Sequence, residues 1–234
     1  MLGIILTYHS FFEFLPYQIK NLKNHIQVPF KIYVVDNSLL SGQKYSGDVV
    51  YIYSLIDGSP SQRHQQSVNL GLSRAWNECD KFLILDNDMI FLSDWTPPTV
   101  CQYHPQKRGN LEYAWLNLLY FPKDDRLNYF DFANCPDTRA RTDSGGSFAW
   151  YLRSGGSAQT IDMLPMSSAW FPQYSKAYED LCTRHEVRAW YDIFRINNSI
   201  IFHFRALSNW TKYPEAFQRE KKELILTTLN TVKV

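Results

Sequence analysis

Residues 82–92 read FLILDNDMIFL, an apolar run with Asp86, Asn87 and Asp88 at its centre. Two acids separated by one residue are costly inside a hydrophobic segment, because a buried carboxylate loses its hydration unless another charge compensates it. A short apolar run that stops at polar residues is typical of a buried strand, so we predict a strand that begins near Lys81 and ends at the acids. Neutralising both carboxylates requires a cation.

Strand and helix patterns alternate over the N-terminal half of the chain. Apolar runs predict strands at 2–9, 30–38 and 49–55, and helical spacing of apolar residues predicts helices at 13–26 and about 62–79. Strands that alternate with helices in this way pair in parallel and are joined by crossover helices. The pattern therefore predicts an α/β fold with a central, mostly parallel sheet and helices on both faces.

The C-terminal half has a less regular pattern. We interpret 113–121 and 147–152 as strands or buried segments, and 178–190 as a helix. Another apolar run covers 199–204, and 214–229 has the spacing of an amphipathic C-terminal helix. We therefore expect a smaller, irregular part after the regular sheet-forming half.

The composition is that of a globular protein, with 45% hydrophobic and 20% charged residues. Its 24 basic and 23 acidic residues leave a formal charge of +1, which argues against a dedicated nucleic-acid binder. The four cysteines form no C-x-x-C pair, as in ordinary thiols of a reducing compartment. No apolar run reaches the ~18 residues of a membrane span, and the apolar N-terminus lacks a basic leader. We expect a cytoplasmic protein without a transmembrane segment, with peripheral attachment to a membrane left open.

Polar residues follow three of the predicted strands at the points where those strands end. In chain order they are Thr7-Tyr8-His9, Asp36-Asn37-Ser38 and Asp86-Asn87-Asp88. Neighbouring strands of a parallel sheet point the same way, and ligands bind beyond their carboxyl ends. We therefore expect these three groups to converge on one binding site.

The chemistry of Asp86 and Asp88 depends on what neutralises them. A hard divalent ion, Mg²⁺ or Mn²⁺, takes such oxygen ligands and keeps positions open for phosphate oxygens. An ion held there can bind a diphosphate and stabilise it as a leaving group. The alternative is that the two acids only end the strand and form a turn.

Three segments of the N-terminal half carry a recognisable combination: FKIYVVDNS at 30–38, HQQSVNLGLSRAW at 64–76 and KFLILDNDMIF at 81–91. They resemble the N-terminal half of GT-A-type nucleotide-sugar glycosyltransferases, and they are most similar to the family 2 type. The shared pattern is a strand ending in V-D-(D/N)-S, a helix with N-x-G, and a strand ending in D-x-D. The resemblance covers residues 2 to about 95 and is looser beyond.

This resemblance implies a single GT-A-like (Rossmann-like) domain over residues 1–234. It implies a nucleotide-binding half to about residue 95 and an acceptor-binding half from about residue 96. The implied reaction moves a sugar from a UDP- or GDP-sugar to a saccharide or other hydroxyl acceptor, with Mn²⁺ or Mg²⁺ as cofactor. The chain lacks a recognisable Q-x-x-R-W, so we do not expect a processive polysaccharide synthase.

The resemblance also implies roles for residues near the donor nucleotide. Asp36 would bind the edge of the base, with Thr7 and Tyr8 beside the same nucleotide. Arg63 would reach base, ribose or phosphate with its fork of donors. The plainer alternatives are a turn-forming Asp36, a solvated Arg63 and a Gly71 that only permits close helix packing. The expected nucleotide contacts are Thr7, Tyr8, Asp36, Asn37, Arg63, Asn69, Asp86 and Asn87.

For the metal, the resemblance implies that Asp88 is the direct ligand and that Asp86 touches the ribose or binds the metal through water. His203, in the run SIIFHF, matches the late histidine that completes the metal coordination of many such enzymes. A neutral imidazole is a suitable third ligand for Mn²⁺. The alternative is a core histidine whose hydrogen bonds are satisfied within the protein.

An inverting transfer needs a base that takes the proton of the acceptor hydroxyl. Asp180, in the segment YEDLC, matches the position where the family places that base. Its alternative is a negative charge that complements a helix N-terminus. Asp143, in DSGG, is the rival base, although we expect it first to contact the donor sugar or the acceptor. One or two tryptophans are expected to stack on sugars, the candidates being Trp150, Trp170, Trp190 and Trp210.

Three other functions stay open from the sequence. They are a retaining glycosyltransferase of the same fold, a nucleotidyltransferase and a non-catalytic sugar-binding domain. A nucleotidyltransferase usually carries a glycine-rich loop after its first strand, whereas 7–14, TYHSFFEF, contains no glycine. The intact D-N-D sequence favours a catalytic domain over a degenerate one.

Overall fold

The structure is a computed structural model that describes residues 1–9, 11–38, 48–54, 57–135, 137, 141–188, 191–205 and 213–231. The strands in these residues are β1 Leu2–Tyr8, β2 Phe30–Asp36, β3 Val50–Tyr53, β4 Lys81–Asp86, β5 Met89–Phe91, β6 Cys101–Arg108, β7 Leu111–Pro122, β8 Ala158–Thr160, β9 Asp162–Leu164, β10 Asp192–Ile196 and β11 Ser199–His203. The α-helices are α1 Leu15–His25, α2 Pro60–Ala75, α3 Phe148–Arg153, α4 Pro172–Arg184 and α5 Glu215–Thr231.

The chain divides into two compact units that alternate along the sequence. The first consists of Met1–His9, Gln27–Asp86 and Thr96–Asp162. The second consists of Ser10–Ile26, Asn87–Trp95 and Met163–Val234. The nucleotide-binding and acceptor-binding halves expected from the sequence stay predictions.

The first unit contains a seven-stranded sheet with the order β3-β2-β1-β4-β7-β6-β8. Its strands β3, β2, β1 and β4 are parallel neighbours. Strand β7 is antiparallel to both β4 and β6, and β8 is parallel to β6, so β7 alone runs against the other strands of this sheet. The predicted α/β fold with a central, mostly parallel sheet and flanking helices is confirmed.

Burial explains the continuous apolar runs of the central strands. All seven residues of β1 are buried, as are the last five residues of β4, because strands covered on both faces need no polar side. Helix α2 begins with a capping box, in which Ser59 and Gln62 exchange hydrogen bonds, and packs on β1 and β2. A Cβ atom at Gly71 would lie 2.5 Å from Ile5 Cγ2, so the glycine of N-x-G allows this close approach.

The second unit contains a four-stranded sheet with the order β5-β11-β10-β9. Strand β11 is antiparallel to both β5 and β10. An aromatic core stabilises this unit, since α4 and α5 pack on each other and bury large rings. The rings at its centre are Phe14, Phe171, Tyr174, Tyr178, Tyr191, Phe202, Phe204 and Phe217.

Some elements differ from the sequence-based expectation. Most of the segment 147–152 lies in helix α3, which buries Phe148, Ala149 and Tyr151, so the strand alternative for this segment was wrong. The helix expected at 178–190 begins earlier, at Pro172, where proline suits the first turn. Strand β6 was not predicted, because it carries Pro105 at a shift in its register with β7. None of the described helices combines the length and the apolar character that crossing a bilayer demands.

Candidate functional site

The D-N-D sequence ends β4 at Asp86, and its Asn87 and Asp88 form the turn that joins β4 to β5. Beyond this turn, β5 pairs with β11 in a register that sets Met89 opposite His203. The backbone N–H of Phe204 donates to the carbonyl oxygen of Asp88 at 3.0 Å. Strand pairing therefore places Asp88 beside His203, although the two residues are far apart in the sequence.

His203 bridges two carboxylates within the second unit. Its Nε2 lies 3.0 Å from Asp88 Oδ1, and its Nδ1 lies 3.0 Å from Asp192 Oδ2. Burial alone would lower the pKa of His203, but the charges of Asp88 and Asp192 outweigh burial and raise it to about 10. Without a metal the imidazole is therefore protonated at neutral pH, and it must lose its Nε2 proton before that nitrogen can bind an ion.

Asp86 is the last residue of β4, and its carboxylate accepts a hydrogen bond from Asn117 Nδ2 on β7. One ligand atom from each of Asp86, Asp88 and His203 can be chosen so that all three lie within 4.8 Å of one another, and all three residues are buried. Two carboxylate oxygens and one imidazole nitrogen form a donor set that suits Mn²⁺ or Mg²⁺. The structure thus brings the three predicted metal ligands together and supports a divalent metal.

The strand ends of the first unit meet in register. Tyr8 lies opposite Asp36, and Thr7 lies opposite Asp86. The carboxylate of Asp36 is held on both oxygens, since Oδ1 accepts from the backbone N–H of Ser38 at 2.8 Å and Oδ2 accepts from the hydroxyl of Tyr51. The strand ends therefore lie together and form one buried polar edge. The sequence predicted that these residues would lie close to one another.

Asn37 is the centre of a hydrogen-bond network at this edge. Its Oδ1 lies 2.9 Å from His9 Nδ1, and its Nδ2 donates to Ser67 Oγ on α2 at 2.8 Å. Arg63 lies one helical turn before Ser67 and is half-buried. The network fixes Asn37 between the strand end and the first turns of α2.

Asn69 has a different environment from the one expected. Its Nδ2 donates to the carbonyl oxygen of Phe130 at 2.8 Å, and its Oδ1 accepts from the N–H of Phe130 at 2.8 Å. The amide thus clamps the backbone of a neighbouring segment. Asn87, in contrast, lies buried in the turn after β4. The roles of Asn69 and Asn87 in nucleotide binding stay predictions.

The two candidate bases have contrasting surroundings. Asp180 is exposed on α4, while Tyr178 and Leu181 of the same helix are buried. Helix α4 begins at Pro172, eight residues before Asp180, so Asp180 does not complement a helix N-terminus. Asp143 is half-buried, and its Oδ1 accepts from the N–H of Ser144 at 2.8 Å.

His64, which sequence reasoning did not single out, lies near Asp143. Burial lowers the pKa of His64 to about 4, and the charge of Asp143 opposes this only in part, so the imidazole is neutral at pH 7. The glycines of DSGG serve close packing, since a Cβ atom at Gly145 would lie 2.0 Å from the carbonyl oxygen of Ala114. Neither observation tests whether Asp143 contacts a sugar, so that role stays a prediction.

The tryptophans are only partly described. Trp150 on α3 is 51% exposed and Trp170 is 38% exposed. Arg153 lies over the ring of Trp150, with 5.1 Å from its guanidinium carbon to the ring centroid. Trp190 and Trp210 lie outside the described residues. Of the four candidates for sugar stacking, the two described ones thus present ring surface to solvent.

No protein-family model and no curated protein matches this sequence. Among solved structures, the fold is similar to the mannosyltransferase PcManGT from Pyrobaculum calidifontis in complex with GDP-Man and Mn²⁺. The TM-score is 0.45 and the sequence identity is 13%. The alignment covers 68% of this chain and 54% of that chain, so this chain spans about half the length of that mannosyltransferase.

Proposed function

We propose that the protein is a divalent-metal-dependent glycosyltransferase of the GT-A type, which moves a sugar from a nucleotide diphosphate sugar to a hydroxyl acceptor. The buried group of Asp86, Asp88 and His203 directly after β4 supports this proposal most strongly. Two neighbouring buried carboxylates are costly unless cations compensate them, and the protonated His203 supplies only one positive charge. D-x-D after a buried strand is the pattern that resembles these enzymes.

Asp88 and His203 would hold Mn²⁺ or Mg²⁺ directly, with Asp86 beside them. An ion bound there would supply the positive charge that stabilises a departing nucleoside diphosphate. Asp192 holds His203 through Nδ1, and Asn117 holds Asp86, so both predicted ligands have partners that fix their orientation.

Asp36 would accept a hydrogen bond from the base of a UDP- or GDP-sugar, because its carboxylate is acceptor-only when ionised. Ser38 and Tyr51 keep that carboxylate in one orientation. Thr7 and Tyr8 are the neighbouring strand-end residues. We assign the remaining nucleotide contacts to Asn37, Arg63, Asn69 and Asn87.

We assign the base of an inverting transfer to Asp180. Its carboxylate is exposed, so it can meet an acceptor hydroxyl that approaches from solvent. Asp143 would contact the donor sugar or the acceptor. The acceptor itself would be a saccharide or another hydroxyl-bearing molecule.

Thermal unfolding in the presence of a panel of UDP- and GDP-sugars, with and without Mn²⁺, tests the proposal. We expect stabilisation that needs both the metal and one diphospho-sugar, because ligands that bind only the folded state raise the unfolding temperature. Asp88→Asn should abolish this stabilisation and sugar transfer. Asp94→Asn is the matched control, since Asp94 is an exposed acid in the same unit that pairs with His25.

The other outcomes identify the rival functions. Stabilisation by free nucleoside triphosphates in preference to nucleotide sugars would indicate a nucleotidyltransferase. Stabilisation by sugars without metal or nucleotide would indicate a non-catalytic sugar-binding domain. Full transfer activity in Asp88→Asn would show that the reaction does not depend on this metal centre.

A further inference from the structure

Helix α1 carries two fully buried amide side chains, Gln18 and Asn21, which the proposed reaction does not use. Residues three apart are neighbours on one face of a helix, and α1 packs on β5 within the second unit. A buried amide is costly unless its polar atoms are hydrogen-bonded. The partners of these two side chains therefore show what they contribute.

Both amides bind the backbone of β5. Gln18 Nε2 donates to the carbonyl oxygen of Met89 at 2.9 Å. Asn21 Nδ2 donates to the carbonyl oxygen of Phe91 at 2.8 Å, and its Oδ1 accepts from the N–H of Phe91 at 2.7 Å. Strand β5 is at the edge of its four-stranded sheet, where backbone groups have no neighbouring strand to bind. The two side chains of α1 thus take the place of a further strand.

The backbone around β5 binds its two neighbours alternately. On the side of β11, the N–H of Phe204 donates to the carbonyl oxygen of Asp88 at 3.0 Å, and the N–H of Leu92 donates to that strand at 2.8 Å. Met89 turns its carbonyl oxygen the other way, to Gln18, as the period of two in an extended chain requires. Two successive carbonyl groups at the candidate metal ligand are therefore held from opposite sides.

We propose that Gln18 is a positioning residue for the metal centre, which fixes the main chain from which the Asp88 side chain reaches the ion. This inference rests on the proposed metal centre. Met89 directly follows Asp88 and lies opposite His203 in the register of β5 and β11. Rotation of the peptide groups at Met89 would move the Asp88 carboxylate away from its place 3.0 Å from His203 Nε2. Ligands of a metal tolerate only small displacements, so the bond from Gln18 favours metal binding.

Two variants of similar shape separate positioning from general stabilisation. Gln18→Met keeps the length of the side chain and removes the donor to Met89. Asn21→Leu is the matched control, because it removes the other amide from the same helix face and frees Phe91, which is farther from Asp88. The readouts on the full chain are the dissociation constant of Mn²⁺ alone and the spectrum of bound Mn²⁺, both by electron paramagnetic resonance, and the free energy of unfolding in urea.

We expect Gln18→Met to weaken Mn²⁺ binding by roughly tenfold and to alter the spectrum of bound Mn²⁺, as removal of a partner outside the ligand set does at other metal sites. Asn21→Leu should lose at least as much stability and bind Mn²⁺ with unchanged affinity and spectrum. If Gln18→Met does not fold, Gln18→Asn, which withdraws the amide from Met89 by one methylene, is judged by the same criteria.

Two results would contradict the positioning role and leave the metal centre intact. They are unchanged Mn²⁺ affinity in Gln18→Met and an equal loss of affinity in Gln18→Met and Asn21→Leu, since either would mean that α1 only stabilises the fold. Absence of Mn²⁺ binding in the unaltered protein would overturn the metal centre and this inference together.

Discussion

At Asp192 one carboxylate oxygen, Oδ2, lies within 3.0 Å of His203 Nδ1 and 3.2 Å of Arg205 Nε. This arrangement fixes the tautomer and the direction of the His203 ring, so that Nε2 faces Asp88. A carboxylate behind an imidazole ligand also makes the ligating nitrogen more basic. At the residue scale, the candidate metal centre therefore depends on a side chain that binds no metal itself.

Asp192→Asn tests this dependence. We expect Mn²⁺ affinity to fall by roughly 10- to 100-fold, because the imidazole loses its charged partner and its fixed orientation. The measurement is Mn²⁺ titration followed by electron paramagnetic resonance, with Asp94→Asn as the control. An affinity equal to that of the unaltered protein would show that Asp192 only fills space.

At the scale of elements, packing of α2 on β1 and β2 positions the polar strand ends. Gly71 allows the helix to approach the sheet, and Ser67, one turn earlier, holds Asn37 at the end of β2. Helix and strand thus depend on each other: a shift of α2 away from the sheet would also move the hydroxyl that fixes Asn37.

Gly71→Ala should destabilise the protein by about 1–3 kcal/mol, because the new Cβ atom would overlap with Ile5 in a packed core. Alanine is the better helix former by about 1 kcal/mol, so a net loss of stability means that overpacking outweighs helix propensity. Urea unfolding measures the effect, and Ser73→Ala on the exposed side of α2 is the control. A Gly71→Ala protein as stable as the control would show that the sheet adjusts freely.

At the scale of the whole molecule, two histidines, His64 and His203, give the stability of the metal-free protein opposite dependences on pH. The folded-state pKa of His203 is raised from 6.5 to about 10, so its contribution is complete below pH 6.5 and is lost as pH rises through about 10. The folded-state pKa of His64 is lowered from 6.5 to about 4, so its contribution is present above pH 6.5 and is lost as pH falls towards about 4.

Urea unfolding with a chelator present, repeated across this pH range, should therefore show falling stability on both sides of neutrality. His64→Gln should flatten the acid side and leave the alkaline side unchanged, and His203→Gln should do the reverse. Each variant is the control for the other. Equal pH profiles in all three proteins would mean that neither histidine titrates as its surroundings indicate.

The sequence by itself determined the alternation of strands and helices, the parallel part of the sheet and the strand-end acids at Asp36, Asp86 and Asp88. These features follow from local periodicity and from polar residues that interrupt apolar runs, so a single segment suffices to recognise each. It also indicated His203 through the resemblance, although the run around it fitted a core histidine equally well.

Only the tertiary structure decided which side chains surround those acids. The pairing of β5 with β11 brings His203 to Asp88, and β7 brings Asn117 to Asp86. Partners of this kind depend on which strands pair and in which register. The local pattern fixes neither the partner strand nor the register, because both are set by contacts between segments that are distant in the chain.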